Sequence, residues 1–370
     1  MTPGLTTGAP VVLLAAGGTG GHLFPAEALA VALERRGVTV DLATDARGGR
    51  YGGKFPARQV HVIPSETIRG RNPIALARTG AALGWGFVKA YLLLRRLRPA
   101  VAIGFGGYPT VPPLLAATYR KIPTIIHEQN AVMGRANKLL APRVTAIATS
   151  FSGVLAGEAM LAAKATHTGN PLRPAVIAAA SSFIPPEPDG LFRLLVFGGS
   201  QGAKVMSDVV PAAIEHLDAA LRARLLLAQQ AREEDLGRVR ETYQRLNIAC
   251  EVAAFFPDLP ARIAAAHLVV SRSGAGTVAE LAAIGRPALL VPLPHALDQD
   301  QFQNAGLLEQ AGGGIRLRQE EFTPDRLAYE ITTLASAPQK LLSMGQAARS
   351  QGAIDAAERL ADLVMKTMRR

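Results

Sequence analysis

Apolar residues come in short unbroken runs along this chain, and between the runs they recur at the three-to-four spacing of an amphipathic helix. The stretch "APVVLLAA" (9–16) reads as a buried strand. "PAEALAVALERRG" (25–37) reads as a helix, with Pro25 in its first turn, Leu29 and Leu33 on one face, and Gly37 closing the end. Further buried strands are expected at 38–44, 100–105, 124–128 and 145–149, then at 191–197, 224–230, 251–255, 268–271 and 288–292. Strand and helix alternating at this period predict an α/β fold whose parallel sheets are covered on both faces.

The pattern repeats. A strand followed by "GGTGG" opens the first half at 17–21, and a strand followed by "GGSQG" opens the second at 198–202, 181 residues further on. Both fit G-G-[ST]-x-G at a strand-to-helix turn. Two Rossmann-like domains follow from this echo, dividing between "GNPLRP" (169–174) and the proline-rich "IPPEPDG" (184–190). One large sheet with coincidental glycines is the alternative, although 370 residues exceed the usual single core.

Charge narrows the partners. Forty basic residues against 29 acidic ones give a net charge of +11, which favours an anionic partner: nucleic acid, a phosphorylated substrate or an anionic bilayer surface. Aromatics at 5% argue against a stacking platform for single-stranded nucleic acid. Cys250 is the single cysteine, which excludes an intrachain disulfide and cysteine zinc motifs and fits a reducing compartment. The opening "MTPGLTTGAP" lacks a basic segment and "VVLLAA" is too short for a signal peptide, so no cleaved leader is expected. No apolar stretch reaches the roughly 18 residues that a membrane-spanning helix requires.

The glycine turns carry the first chemical signal. A dinucleotide fingerprint would need a third glycine at position 23, which is Leu23, so a nicotinamide dehydrogenase is disfavoured. Backbone N–H groups at such a turn, with the helix dipole behind them, suit a phosphate; tight strand–helix packing is the bland reading. His22 follows the first turn, where the dipole favours a neutral imidazole able to accept a proton. "HEQN" (127–130) sets four polar residues at the end of a buried strand, and Glu128 there is a rival base. In "SRSGAGTVAEL" (271–281), Glu280 lies about one turn inside a helix and could accept two ribose hydroxyls, or merely serve as a first-turn acid. Gln301 and Asn304 are amides suited to reading sugar hydroxyls, and Arg173 in "GNPLR" could neutralise a diphosphate. Asp298-Gln299-Asp300 resembles the acid-x-acid metal motif of another glycosyltransferase architecture, but it opens a helix in the second half, which disfavours a required metal.

One long stretch, 69–99, mixes Arg69, Arg71, Arg78, Lys89, Arg95, Arg96 and Arg98 with Ile74, Leu76, Leu83, Trp85, Phe87, Tyr91 and Leu92. An apolar patch rimmed by basic groups would lie well on an anionic bilayer; an ordinary amphipathic helix is the alternative.

Taken together, "GGTGGH", "HEQNAVMGRAN", "GNPLR", "GGSQGA", "SRSGAGTVAEL" and the D-x-x-Q-x-x-N-A ending (298–305) resemble the MurG family, in order and from about residue 10 to about 315. These are the bacterial glycosyltransferases that add N-acetylglucosamine to lipid I to form lipid II. The resemblance implies a GT-B fold: two Rossmann-like domains facing across a cleft, residues 1–173 for the acceptor and membrane, 174–349 for the UDP-sugar, and 350–370 returning to the first domain. It implies UDP-N-acetylglucosamine as donor, inversion at the anomeric carbon and no cofactor. By motif match, Thr19, Gly20, Gly21, Asn130 and Arg173 would contact the donor, as would Ser200, Glu280 and Gln301. Phe256 and the backbone of Ala275, Gly276, Thr277, Val278 and Ala279 would hold uracil and ribose. Gly18, Tyr108 and Asn137 would meet the acceptor, and His22 or Glu128 would be the base. Lipid I, an anionic membrane surface and other proteins of cell-wall synthesis are the implied partners, with no nucleic acid, and the cytoplasmic face of the cell membrane is the implied location.

The chain departs from that family in two places. "GGYPTVP" (106–112) stands where "GGYxSGP" is usual, and Asp300 stands where histidine or glutamine is expected. Rival readings are a GT-B enzyme that glycosylates diacylglycerol, a UDP-sugar epimerase, and a UDP-sugar sensor without catalysis.

Overall fold

The structure is a computed structural model that describes residues 9–18, 20–48, 55–65, 73–199, 202–294 and 299–369, and leaves out the side chains of 73–78. Its residues fall into two compact units, Met1–Arg173 with Asp355–Arg370, and Pro174–Ile354. Each unit is built on one parallel sheet.

In the first unit the strands are β1 (Val11–Ala15), β2 (Thr39–Thr44), β3 (Gln59–Val62), β4 (Val101–Gly104), β5 (Thr124–Glu128), β6 (Ala146–Thr149) and β7 (Ala165–His167). They lie in the order β3-β2-β1-β4-β5-β6-β7. In the second unit they are β8 (Phe192–Phe197), β9 (Leu225–Gln230), β10 (Ala249–Ala253), β11 (Leu268–Ser271), β12 (Ala288–Leu290) and β13 (Gly314–Arg316). Their order is β10-β9-β8-β11-β12-β13. Both sheets therefore reverse direction of growth beside their first strand, between β1 and β4 and between β8 and β11. Ligands of open α/β sheets bind at the carboxyl ends of strands where the order reverses. The chain puts its glycines there: Gly17–Gly18 after β1, Gly106–Gly107 after β4, Gly198–Gly199 after β8 and Gly274 after β11.

The first helix runs over Gly20–Glu34, so Pro25 lies inside it rather than in its first turn. The helix begins five residues early because the glycines themselves form the opening turn. Pro25 has no N–H to give to the Gly21 carbonyl four residues back, and only a residue without a side chain stands at that carbonyl. Leu23, Ala26, Ala28, Leu29, Ala30, Ala32 and Leu33 are all buried, which covers most of the circumference. The reason is the returning helix Ala356–Met368, whose Ala357, Leu360, Ala361 and Val364 share its core. Arg36 fastens that helix from outside, at 2.7 Å from Glu358 and 2.6 Å from Asp362.

The second glycine turn is shaped by its own backbone. A Cβ on Gly198 would stand 2.2 Å from the Ala203 nitrogen, and the Gly198 N–H donates to Gln230 Oε1 at 3.0 Å. Gly198→Ala is expected to cost about 1–3 kcal/mol, the range for forced overpacking. A thermal unfolding midpoint equal to the parent's would show that the turn relaxes instead.

Candidate active site

At the carboxyl end of β1 the protein's own groups fill much of the space that the glycines leave. A Cβ on Gly17 would meet Pro109 at 3.0 Å and Asp45 at 3.2 Å. Gly18 has φ +81 and gives its N–H to Asp45 Oδ1 at 3.2 Å. The buried Asp45 also accepts from Gly48 N–H at 2.8 Å and pairs with Arg47 at 2.9 Å. Gly18 is thus a turn residue whose N–H is held by a carboxylate. Asp45 follows β2, the neighbour of β1, so sequence spacing does not reveal this contact.

His22 is in the first turn of the helix Gly20–Glu34, under the loop after β4. Cβ atoms on Gly106 and Gly107 would lie 3.4–3.7 Å from its ring atoms, an ordinary contact, so what these two positions ask of glycine is their positive φ, +79 and +74. Burial holds the His22 imidazole below its ordinary value of 6.5, and the Arg47 charge adds to this; the Phe105 carbonyl and Asp45 oppose it. Burial thus favours the neutral ring. Tyr108, at the start of the turn Tyr108–Thr110, is partly buried and packs on the core of the same unit.

The "HEQN" cluster is densely hydrogen-bonded. Glu128 is buried, and its Oε1 accepts from Asn130 N–H at 2.9 Å and from Asn130 Nδ2 at 3.4 Å. Its Oε2 accepts from Gly134 N–H at 2.9 Å and from Asn137 Nδ2 at 2.8 Å. Burial raises the Glu128 carboxyl above its ordinary value, against four hydrogen bonds that pull it down. The four donors tie this carboxylate to Asn130, Gly134 and Asn137. Asn137 is itself buried, and its Nδ2 also donates to the His127 carbonyl at 3.2 Å. His127 is fully buried, its Nε2 lies 3.1 Å from the Gly169 carbonyl, and burial pushes it down to about 4. Gln129 ties the cluster to the next loop by donating to the Phe105 carbonyl at 3.0 Å.

Arg173 joins this region from the end of the unit. Its guanidinium stacks 3.9 Å over the ring of Phe24, which packs against Gly20. Sequence reasoning missed Phe24, although it lies four residues after Gly20, one helical turn on.

The second unit presents the other assigned residues. Helix Ala275–Ile284 starts after Gly274 with no side-chain cap, which leaves its first N–H groups for a ligand. The side chains of Ala275 and Val278 are buried, so these residues offer only backbone, and Gly276, Thr277, Ala279 and Glu280 are half-buried. Ser273 Oγ donates to the Gln301 carbonyl at 2.8 Å, and this pins the turn to helix Asp300–Ala311. Gln301 Oε1 accepts from Leu293 N–H at 3.0 Å, which orients its amide. Asn304 is fully buried and donates to the Ser273 carbonyl at 3.3 Å. Phe256 is buried beneath Arg262, whose guanidinium lies 4.2 Å over the ring. Arg272, unassigned from sequence, holds the carbonyls of Val291 and Pro292 at 3.1 and 2.9 Å. Thr19, Ser200 and Asp298 lie outside the described residues.

Helix Pro73–Leu97 buries Ala90 and Leu94 in its unit and turns other apolar side chains outward. Trp85 is 57% exposed, with Val88, Tyr91 and Leu92 also exposed, and Tyr119 from the next helix is 75% exposed. Lys89 lies 5.6 Å from the Trp85 ring and Arg120 5.0 Å from the Tyr91 ring. Arg69, Arg71 and the side chains of Ile74, Leu76 and Arg78 are outside the described residues. No helix among the described residues is long and apolar enough to cross a membrane.

Comparison with known proteins gives this arrangement a family. Residues 12–149 match the glycosyltransferase family 28 N-terminal domain and residues 193–360 its C-terminal domain. The chain belongs to glycosyltransferase family 28. Among its family 28 relatives is a protein of Rhodopseudomonas palustris (strain HaA2), 65% identical over 359 residues, 97% of this chain and 98% of the relative. Another is from Nitrobacter hamburgensis, 61% identical over 364 residues and 98% of each chain. Both are named UDP-N-acetylglucosamine–N-acetylmuramyl-(pentapeptide) pyrophosphoryl-undecaprenol N-acetylglucosamine transferase. The crystal structure of Acinetobacter baumannii MurG is similar with a TM-score of 0.78 and 28% identity, over 96% of this chain and 99% of that one. A UDP-GlcNAc 2-epimerase from Neisseria meningitidis, at 14% identity and TM-score 0.69, shares the fold alone. The family 28 fold is the two-domain α/β arrangement called GT-B.

Proposed function

We propose that this family 28 glycosyltransferase moves N-acetylglucosamine from UDP-N-acetylglucosamine to lipid I, undecaprenyl-pyrophosphoryl-N-acetylmuramoyl-pentapeptide, giving lipid II and UDP. The observation that carries the reading is 61–65% identity along nearly the whole of both chains to relatives that bear this activity as their name. The site residues are consistent with it. In this reading the unit Pro174–Ile354 takes the nucleotide: Glu280 holds the ribose, Phe256 and the backbone at 275–279 hold uracil and ribose, and Gln301 with Ser200 reaches toward the diphosphate and sugar. The first unit supplies His22, Asn130 and Arg173, with Thr19, Gly20 and Gly21 at its glycine turn, and Tyr108 beside the acceptor.

The acceptor hydroxyl oxygen bonds to the anomeric carbon as the bond from that carbon to the UDP oxygen breaks. Its proton passes to the neutral His22 ring. Positive charge spreads over the sugar ring in the transition state and negative charge grows on departing UDP. Helix N-terminal N–H groups and the Arg173 fork stabilise that negative charge from fixed positions. Glu128 acts one step back by holding Asn130 and Asn137 in place. No cofactor enters this scheme.

Incubation with UDP-N-acetylglucosamine and a short-chain lipid I analogue tests the reading, with products separated by chromatography. A disaccharide-bearing lipid and stoichiometric UDP are expected. Free sugar plus UDP without any lipid product would instead support the epimerase alternative.

The exposed apolar and basic face of helix Pro73–Leu97 is assigned to the cytoplasmic surface of the membrane, where the lipid-linked acceptor resides. Basic groups at an anionic surface contribute about 1 kcal/mol each. Replacing Lys89, Arg95 and Arg96 together with glutamine is expected to weaken binding to vesicles containing anionic lipid, with the parent's binding falling as salt rises. Equal binding of parent and variant to anionic and neutral vesicles would remove this face from the membrane.

A further inference from the structure

Asn170 follows β7 in "GNP", and nothing in the transfer scheme above uses it. It is 5% exposed, yet among the described residues neither its Oδ1 nor its Nδ2 has a hydrogen-bond partner. A buried carboxamide with both ends unpaired is costly, and a leucine of the same size would carry no such cost. The backbone on either side of it is held in place. Gly169, at φ +80, and Thr168 both donate their N–H groups to the Thr149 carbonyl, at 3.2 and 3.0 Å. The Gly169 carbonyl is held by Thr168 Oγ1 at 3.0 Å and faces His127 Nε2 at 3.1 Å. Pro171 then restricts Asn170 to extended backbone.

The surroundings share this property. Asn170 lies at the carboxyl end of the first sheet, where β5 and β6 also end. His22 Nδ1, His127 Nδ1 and Asn137 Oδ1, on elements that start or finish at the same end, are likewise buried without partners among the described residues. Neutral donors and acceptors left unpaired together at a ligand-binding edge of an α/β sheet are matched by a neutral polar ligand.

We propose that Asn170 is a substrate contact, its Nδ2 donating to one polar group of a hexosamine ring and its Oδ1 accepting from the adjacent one. Hydroxyl and acetamido groups fit this demand. A phosphate does not, because Oδ1 would face another acceptor. The assignment rests on the transfer reading above, and both the donor and the acceptor sugar carry such groups.

The test uses the full chain and the variants Asn170→Leu and Asn170→Ala, with thermal unfolding, UDP titration and initial rates against UDP-N-acetylglucosamine and the short-chain lipid I analogue. Asn170→Leu is expected to unfold at or above the parent's temperature and to bind UDP as the parent does. Its kcat/KM is expected to fall about 10-fold to 100-fold, the effect of one lost hydrogen-bonding partner in a buried site. A raised KM for the UDP-sugar alone would place the contact on the donor, and a raised KM for the lipid analogue alone on the acceptor. Should the leucine variant misfold, Asn170→Ala reads the same ratios. A folded variant with kcat/KM within two-fold of the parent would overturn the assignment. So would destabilisation of both variants with unchanged KM values, since that marks a packing role. A parent protein that transfers nothing overturns the reaction itself, and this assignment with it.

Discussion

Replacing His22 with alanine is expected to lower the turnover number by about 10²–10⁴-fold, the usual contribution of a positioned base. UDP affinity should survive, because the residues assigned to uracil and ribose belong to the unit Pro174–Ile354. The pH dependence follows from the direction of the shift. Only the neutral ring can take a proton, and burial lowers its value below 6.5. The neutral form is therefore favoured at pH 7 and is lost as pH falls through the lowered value. The acid limb of kcat/KM should lie below pH 6.5, with a flat profile above it. Glu128→Gln is the control, since glutamine keeps an acceptor for two of the four donors around it but places an NH2 against the others. It should disturb Asn130 and Asn137 and reduce activity less than His22→Ala. A His22→Ala enzyme working within a few-fold of the parent, with Glu128→Gln inactive, would move the base to Glu128.

Glu280→Ala is expected to weaken UDP binding by roughly 2–3 kcal/mol, about 30–150-fold, the range for hydrogen bonds to a charged group. The alternative, a carboxylate placed only to suit the helix dipole, is weakened by its position. The helix begins at Ala275 with no acid in its first turn, and Glu280 is past the reach of the unpaired N–H groups. Calorimetric titration with UDP reads the first effect and thermal unfolding the second. Unchanged UDP affinity with a lowered unfolding temperature would return Glu280 to a structural role.

The parts of this site that were legible in the sequence are those whose chemistry is local. A glycine turn after an apolar run, a histidine at a helix start and an acid inside the next helix are each set by neighbours a few residues away. His127, Glu128, Gln129 and Asn130 were visible as a polar cluster, but the way Asn137 closes on it was not. Which of them holds and which is held depends on Gly134 N–H and Asn137 Nδ2 closing on one carboxylate. The same limit hid the bonds that Gly18 N–H and Asn304 Nδ2 give to Asp45 and to the Ser273 carbonyl on other segments.

The fold shows the same boundary between local and distant causes. Interior strands such as β1, β4 and β12 are buried along nearly their whole length, so each is an apolar run, and the sequence by itself determined them and the α/β class. The strands that escaped or slipped are β3, β7, β13 and β10, and all four are sheet edges. An edge strand is covered on one side only, so "QVHV" and "ATH" carry no apolar run, and β10 begins at Ala249, two residues before its expected start. Its register comes from Ala249–Ala253 pairing with Leu226–Gln230 of β9, a contact between distant segments. Tertiary structure decided these edges and the capture of Gly18 by Asp45, because pairing and desolvation act between residues that only folding brings together.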